Sequence, residues 1–256
     1  MKKYCLDLLV RHVVHINDKY VLLRLTHEQS FPEMLPGQFV EVRVDGSPST
    51  FLRRPISINN VDRTKNELHL LIACIGDGTR RLGELAEGDI LNVVLPLGNG
   101  FTLPADKNQK HLLVGGGVGV APLLYLGQEM KLMGVEPTFL LGARSAKDLL
   151  MLDAFKAVGR VFITTEDGSE GEKGFVTDHS IWQKESFCLV STCGPVPMMK
   201  AVARVSKERG IPCEVSLENK MACGVGACLC CVEKTKDKGN VCVCTEGPVF
   251  DAERIW

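Results

Sequence analysis

A chain of 256 residues is long enough for roughly two domains of ~100–150 residues each, and 45% hydrophobic with 24% charged residues is an ordinary globular composition. Its 30 basic and 31 acidic side chains leave a formal net charge of −1, so no general field draws in nucleic acid or an anionic lipid surface. No run approaches the ~18–20 apolar residues of a membrane span, and Asp7 and Arg11 interrupt the N-terminal stretch before it reaches the ~7–15 apolar residues of a secretory signal. A cytoplasmic protein is expected.

The first hundred residues read as β structure. After a first strand at the N-terminus, apolar or alternating runs at 21–25, 38–44, 67–73 and 90–96 are separated by turn signals such as Pro36-Gly37, Asp45-Gly46 and Glu87-Gly88-Asp89. This spacing predicts an antiparallel barrel, with one short helix over 78–85. Past Pro104 the period changes. Strands are expected at 111–114, 138–141, 161–165 and 188–192, and helices at 121–133, 146–157 and 196–209. Strand–helix alternation of this kind predicts a parallel α/β sheet. Residues 167–173 read as a solvated loop, and from Val215 onward the chain becomes a cysteine- and glycine-rich loop region. The fold class is therefore multidomain α+β: a barrel over 1–103, an α/β domain over 104–214 and a small C-terminal module over 215–256.

Eleven cysteines are many for a chain from a reducing compartment, and six of them crowd between Cys223 and Cys244. Crowding there argues for a metal or redox site rather than disulfides. Cys223-x4-Cys228-x2-Cys231, with a further cysteine some dozen residues on, is the spacing of a plant-type [2Fe–2S] site. Four thiolates must converge on two irons, and Gly224 and Gly226 let the loop wrap closely with its N–H groups toward the sulfurs. Structural zinc also takes four cysteines, but it favours paired short knuckles over this glycine-bearing pattern. Spacing alone leaves Cys242 and Cys244 both open as the fourth ligand. Cys230 reads as a packed thiol.

Two further motifs point to redox cofactors. In residues 51–58, Arg54, Pro55, Ile56 and Ser57 form the R-x-x-S strand typical of flavin reductases of the ferredoxin–NADP reductase type. There the arginine neutralises pyrophosphate and the serine bonds the isoalloxazine near N5. Gly76-Asp77-Gly78-Thr79 opens the short helix, whose amides suit the flavin phosphates. Gly115-Gly116-Gly117-Val118-Gly119, with Pro122 in the next turn, follows a strand and opens a helix, the context of a dinucleotide loop. Cys193-Gly194-Pro195 ends another strand, and in the same reductases such a segment lies near the nicotinamide. Where an acidic ribose partner is expected, the chain has Arg144 and Ser145, so the residues leave NAD and NADP both open.

Taken in order, residues 52–57 (LRRPIS), 115–123 (GGGVGVAPL), 221–228 (MACGVGAC) and 244–250 (CTEGPVF) resemble the electron transfer subunit of the NAD-dependent, class 1B dihydroorotate dehydrogenases along essentially the whole chain. The resemblance selects Cys244 beside Cys223, Cys228 and Cys231. It implies FAD contacts at Arg54, Pro55, Ile56, Ser57, Leu71, Ile72, Ala73, Gly78 and Thr79, and nicotinamide contacts at Gly115, Gly116, Gly117, Gly119, Pro122, Gly194 and Pro195. Ser57 and Cys193 are the candidates nearest the reacting rings. The family often has arginine where this chain has Ala73, a departure that Arg80 or Arg81 would have to make good. By the same resemblance, an FMN-carrying partner in a two-plus-two heterotetramer oxidises dihydroorotate in pyrimidine biosynthesis. Electrons then pass singly through the cluster to FAD and on to NAD+ as hydride. Two other readings compete: a related FAD and iron–sulfur subunit, as in an NADH-dependent ferredoxin–NADP oxidoreductase or a sulfhydrogenase, and a zinc-stabilised, non-catalytic binding protein. The six histidines show no ligand spacing, and Trp256 reads equally as a partner contact or a terminal anchor.

Overall fold

The computed structural model describes residues 2–256. The chain divides into two compact units: residues up to Gly100 with 218–233 and 240–248, and residues 101–217 with 234–239 and 249–256.

Alternation in the first unit closes a barrel. Strands β1 (Tyr4–Asn17), β2 (Tyr20–Thr26), β3 (Phe39–Val42), β4 (Arg54–Asp62), β5 (Glu67–Ala73) and β6 (Ile90–Leu97) pair in the order β1-β2-β5-β4-β3-β6, every neighbour antiparallel. Closure removes the exposed strand edges that an open sheet would have to protect. Leu8, Leu23, Leu25, Val40, Ile58, Leu68, Leu70 and Val93 fill the interior. Helix α1 (Asp77–Gly83) follows β5 and buries Leu82. Strand β4 starts at Arg54, so residues 51–53 precede it rather than forming part of it, and Phe51 is almost fully exposed.

The second unit is built on a parallel sheet: β7 (His111–Gly116), β8 (Thr138–Ala143), β9 (Arg160–Thr165), β10 (Glu172–Lys173), β11 (Leu189–Cys193) and β12 (Cys213–Ser216). Helices α2 (Ala121–Leu132), α3 (Leu152–Val158), α4 (Ile181–Lys184) and α5 (Val196–Glu208) connect them. Helix α5 buries Met199, Val202 and Ser206, one stripe at helical spacing. After β12 come β13 (Val232–Thr235) and β14 (Gly239–Cys242), which pair as a two-stranded ribbon, and then α6 (Val243–Glu246). Strand β15 (Val249–Asp251) returns antiparallel to β12, giving the order β10-β9-β8-β7-β11-β12-β15, and α7 (Ala252–Ile255) ends the chain.

Three local expectations change. The helix expected over 146–157 is one 3-10 turn at Ala146–Asp148, a break, and then α3. The Ser145 hydroxyl donates to Asp148 at 2.6 Å, Leu149 turns extended, Leu150 is buried and Met151 takes φ +54, so the side chain of Leu150 enters the core only because the helix stops. The loop over 167–173 ends in the short edge strand β10. The segment after Val215 carries β13, β14, β15, α6 and α7 rather than loop alone. Trp256 is half-buried, with Lys200 Nζ 5.6 Å from its ring centre. Among the described residues no helix is long and apolar enough to cross a membrane.

Candidate functional site

In the barrel unit, β3 and β4 pair with Phe39 opposite Ser57 and Glu41 opposite Pro55. Opposed residues share a face, so these four line one side of the ribbon. Arg54 donates through Nη1 to the carbonyls of Leu52 at 2.9 Å and Arg53 at 3.2 Å. Its Nε lies over the first turn of α1: a methyl at Gly78 would come within 2.9 Å of it, and equally close to Thr50. The Thr79 hydroxyl closes that turn by accepting from the Gly76 N–H at 3.0 Å and donating to the Gly76 carbonyl at 3.1 Å. Around this basic, glycine-lined spot, Phe51, Leu52 and Ile75 are exposed apolar side chains. Leu71 and Ile72 are both buried, on opposite faces of β5, and Ala73 ends the strand half-buried. Both neighbouring arginines lie in α1, partly exposed and in surface ion pairs. Arg80 pairs with Asp77 at 2.6 Å and Arg81 with Glu84 at 3.2 Å.

The cysteine segment belongs to the same unit and is tied to the barrel by Asn99. Its N–H donates to the Gly247 carbonyl, and its side-chain amide donates to the carbonyls of Thr245 at 3.2 Å and Glu246 at 3.0 Å. Each such bond contributes ~0.5–1.5 kcal/mol net, enough together to hold a short segment in one register. Within the loop, Gly224 and Gly226 take φ +65 and +82, conformations open to glycine at no steric cost. The turn they make aims main-chain N–H groups at sulfur. Val225, Ala227 and Cys228 donate to Cys223 Sγ at 3.4, 3.3 and 3.4 Å, Gly226 donates to Cys244 Sγ at 3.2 Å, and Cys244 donates to Cys231 Sγ at 3.4 Å. Partial burial works against a thiolate at Cys223, but the donors from Val225, Cys228 and Ala227 outweigh it and bring the thiol down to about 6. Cys244 is buried, and burial together with the Cys231 sulfur beside it pushes its thiol up to about 12. Hydrogen bonds thus link the cysteines as two pairs, Cys228 N–H to Cys223 Sγ and Cys244 N–H to Cys231 Sγ. Among the described residues no three such side chains close on a single point, as they would around one ion. Cys242 caps α6 without receiving a loop N–H, and Cys230 is exposed.

Sequence reasoning passed over one residue here. Glu41 is fully enclosed and neither carboxyl oxygen has a hydrogen-bond partner among the described residues. Burial pushes its carboxyl up to about 7; Arg53 and Arg54 oppose that rise and Cys223 adds to it. The available signal was an acid at the centre of an otherwise apolar strand.

In the second unit the strand order reverses between β7 and β11, and in open α/β sheets ligands bind in the crevice at the carboxyl ends of such a pair. Both motifs stand there. Gly115 is in register with Cys193. A methyl at Gly119 would lie 2.5 Å from Gly194 Cα and 2.6 Å from the Cys193 carbonyl carbon, and one at Gly116 would lie 2.6 Å from Met198 Sδ. Gly117, at φ +56, faces open space. Pro122 stands in the first turn of α2, where its missing N–H costs nothing. Cys193 is buried at the end of β11.

The family model for the iron–sulfur cluster binding domain of dihydroorotate dehydrogenase B matches residues 218–256, and that for the oxidoreductase NAD-binding domain matches 113–204. The electron transfer subunit of dihydroorotate dehydrogenase B (NAD(+)) from Shouchella clausii is 44% identical over 225 residues, 86% of each chain. That of Caldanaerobacter subterraneus subsp. tengcongensis is 41% identical over 234 residues, 90% of this chain and 91% of its own. The chain belongs to this family of electron transfer subunits. Members are oxidoreductase subunits, and the name itself implies a catalytic partner. Among solved structures, an NADH-dependent reduced ferredoxin–NADP oxidoreductase matches with a TM-score of 0.87 at 30% identity, covering 97% of this chain and 89% of that one. A ferredoxin–NADP+ reductase from Plasmodium falciparum shares the fold at 14% identity, with a TM-score of 0.65 over 82% of this chain and 96% of its own. The barrel followed by a parallel α/β sheet is therefore the ferredoxin–NADP reductase fold, which this chain carries with a C-terminal iron–sulfur domain.

Proposed function

We propose that this subunit carries electrons from a dihydroorotate-oxidising partner to NAD+ in pyrimidine biosynthesis. Residues 1–103 take FAD, 104–214 take NAD and 215–256 take a [2Fe–2S] cluster. The observation that carries the reading is the cysteine loop: two pairs of sulfurs, supplied with main-chain donors, within the matched iron–sulfur domain. Two pairs suit two irons better than one tetrahedral ion. The donor set fits the cluster, and the N–H donors at Cys223 and Cys244 suit sulfurs that carry negative charge. Cys223, Cys228, Cys231 and Cys244 are the proposed ligands, and the Gly226 N–H at Cys244 supports that cysteine over Cys242.

Arg54, Gly78 and Thr79 form a cationic cradle fitted to a pyrophosphate, with Leu71, Ile72 and Ala73 along the neighbouring strand. Pro55, Ile56 and Ser57 form the strand segment that the flavin ring lies along, Pro55 and Ser57 on one face and Ile56 on the other, and Ser57 supplies a hydroxyl to orient the ring. Gly115, Gly116, Gly117, Gly119, Pro122, Gly194 and Pro195 leave a side-chain-free seat for the nicotinamide nucleotide, with Cys193 at its floor. When bound, FAD exchanges single electrons with the cluster and a hydride with the nicotinamide, a conversion no amino-acid side chain here performs. The partner we infer is an FMN-containing catalytic subunit, assembled two with two, in the cytoplasm.

The test is anaerobic purification followed by a visible spectrum with iron and labile-sulfide assays, before and after NADH. Flavin bands, about two irons and two sulfides per chain, and bleaching by NADH are expected. Adding the catalytic partner and dihydroorotate should then reduce NAD+. A colourless, zinc-holding protein would sink the reading, and a coloured protein untouched by NADH would sink the nicotinamide assignment.

A further inference from the structure

Glu41 lies on β3 between two hydrophobic neighbours, Val40 and Val42, that face the barrel interior, and its own side chain is covered from outside. What covers it is the cysteine loop. A methyl at Gly224 would lie 2.7 Å from Glu41 Cγ, 3.4 Å from its Oε1 and 2.9 Å from Leu97 Cδ1, so the loop reaches the barrel only because that position is glycine. Gly224 directly follows Cys223. On its other flank Glu41 stands opposite Pro55 in the flavin strand, and its carbonyl accepts from Arg53 Nη1 at 3.2 Å. The side chain therefore occupies the layer between the strand proposed to carry the flavin and the loop proposed to carry the cluster. Enclosing a carboxyl with no hydrogen-bond partner costs stability, and nothing in the packing recovers that cost.

We propose that Glu41 is a positioning residue for electron flow: an acidic group placed beside the cluster to lower its reduction potential. The inference rests on the assignment of Cys223, Cys228, Cys231 and Cys244 as ligands. A negative group in a poorly solvated layer disfavours an electron arriving next to it, and cluster potentials follow local charge, hydrogen bonding and exposure. Arg53, whose guanidinium bonds the Glu41 carbonyl and Asn92, and Arg54 pull in the opposite sense, but neither guanidinium reaches the carboxyl oxygens. A cluster held low gives up its electron more readily to the next carrier, which is the direction the subunit must run.

The experiment is a redox titration of the cofactor-loaded chain at pH 8, followed by electron paramagnetic resonance of the reduced cluster. Glu41→Gln, which keeps shape and removes charge, should retain wild-type iron, sulfide and flavin while its cluster signal appears at a more positive potential. Glu41→Asp should bring the potential back toward wild type. If Glu41→Gln loses iron, Glu41→Leu carries the same test. A fully loaded neutral variant titrating at the wild-type potential overturns the inference and leaves the ligand assignment standing. Wild-type chain that binds no iron, by contrast, overturns the assignment and the inference with it.

Discussion

The cysteine loop of the barrel unit and the glycine loop of the α/β unit make opposite use of the backbone. In the first, glycines bend the chain so that N–H groups crowd onto side chains: Cys223 Sγ alone receives three, and its thiol falls to about 6. In the second, glycines remove side chains so that two backbones touch, Gly119 against Cys193 and Gly194, leaving Gly117 open. One site is made of clustered thiols and the other of vacated space. A substitution should therefore act as an all-or-none loss in the first and as a graded steric penalty in the second.

The largest effect follows from the ligand loop. Cys244→Ser should abolish the cluster, with iron and labile sulfide falling to background while flavin absorbance persists, since the barrel strands that face the flavin do not depend on that sulfur. Cys242→Ser should keep both metals, because Cys242 caps α6 and receives none of the loop N–H groups. Iron retained in Cys244→Ser and lost in Cys242→Ser would reverse the assignment and break the pairing of Cys231 with Cys244.

A smaller, graded effect belongs to the glycine loop. In Gly119→Ala the new methyl meets main-chain atoms of Cys193 and Gly194, which cannot swing aside as a flexible side chain would. Overpacking of this kind costs ~1–3 kcal/mol, and if the loop yields to relieve it, NADH affinity should fall roughly 10- to 100-fold. The readout is KM for NADH with an artificial acceptor, checked against unchanged iron and flavin content. An unaltered KM would detach the nicotinamide from this crevice.

Both loops were visible in the sequence for the same reason: their constraints are local. Four thiolates for two irons, between Cys223 and Cys244, or a glycine run between a strand and a helix, are each written within one short stretch of chain. What the loops meet was not. Gly119 touches Gly194, and Gly224 touches Glu41, across long stretches of chain that no spacing rule spans. The strand pattern announced the barrel but carried no sign that residues 218–233 and 240–248 would join its unit, because the apolar faces that receive them alternate like any solvent-facing strand. The helix expected over 146–157 failed differently: its apolar period was helical, but Leu150 reaches the core only by breaking the helix at Met151.

The smallest prediction separates the two units by their response to acid. His111 opens β7, the strand that carries the glycine loop, and is 2% exposed with no partner for Nδ1 among the described residues. Burial pushes its pKa below the ordinary 6.5. The unfolded chain thus accepts a proton that the folded chain resists, so the stability tied to neutral His111 is present above about 6.5 and drains away as the pH falls below it. Buried carboxyls act with the other sign: Glu41 and Glu214 are raised, so folding favours their protonated forms and their penalty grows as the pH rises. Carboxylates lowered by hydrogen bonding, such as Asp62 and Glu172, lose their contribution only under more acid conditions, below their ordinary values of 3.8 and 4.5. Between pH 7.5 and 5.5 the difference between wild type and His111→Gln therefore isolates the imidazole. Wild type should lose more melting temperature across that window than the variant. Some acid sensitivity should remain in His111→Gln, since burial also lowers His69 and His179. Equal slopes would mean that His111 takes up its proton within the fold, and that the strand beneath the glycine loop tolerates a charge which its surroundings give no means of pairing.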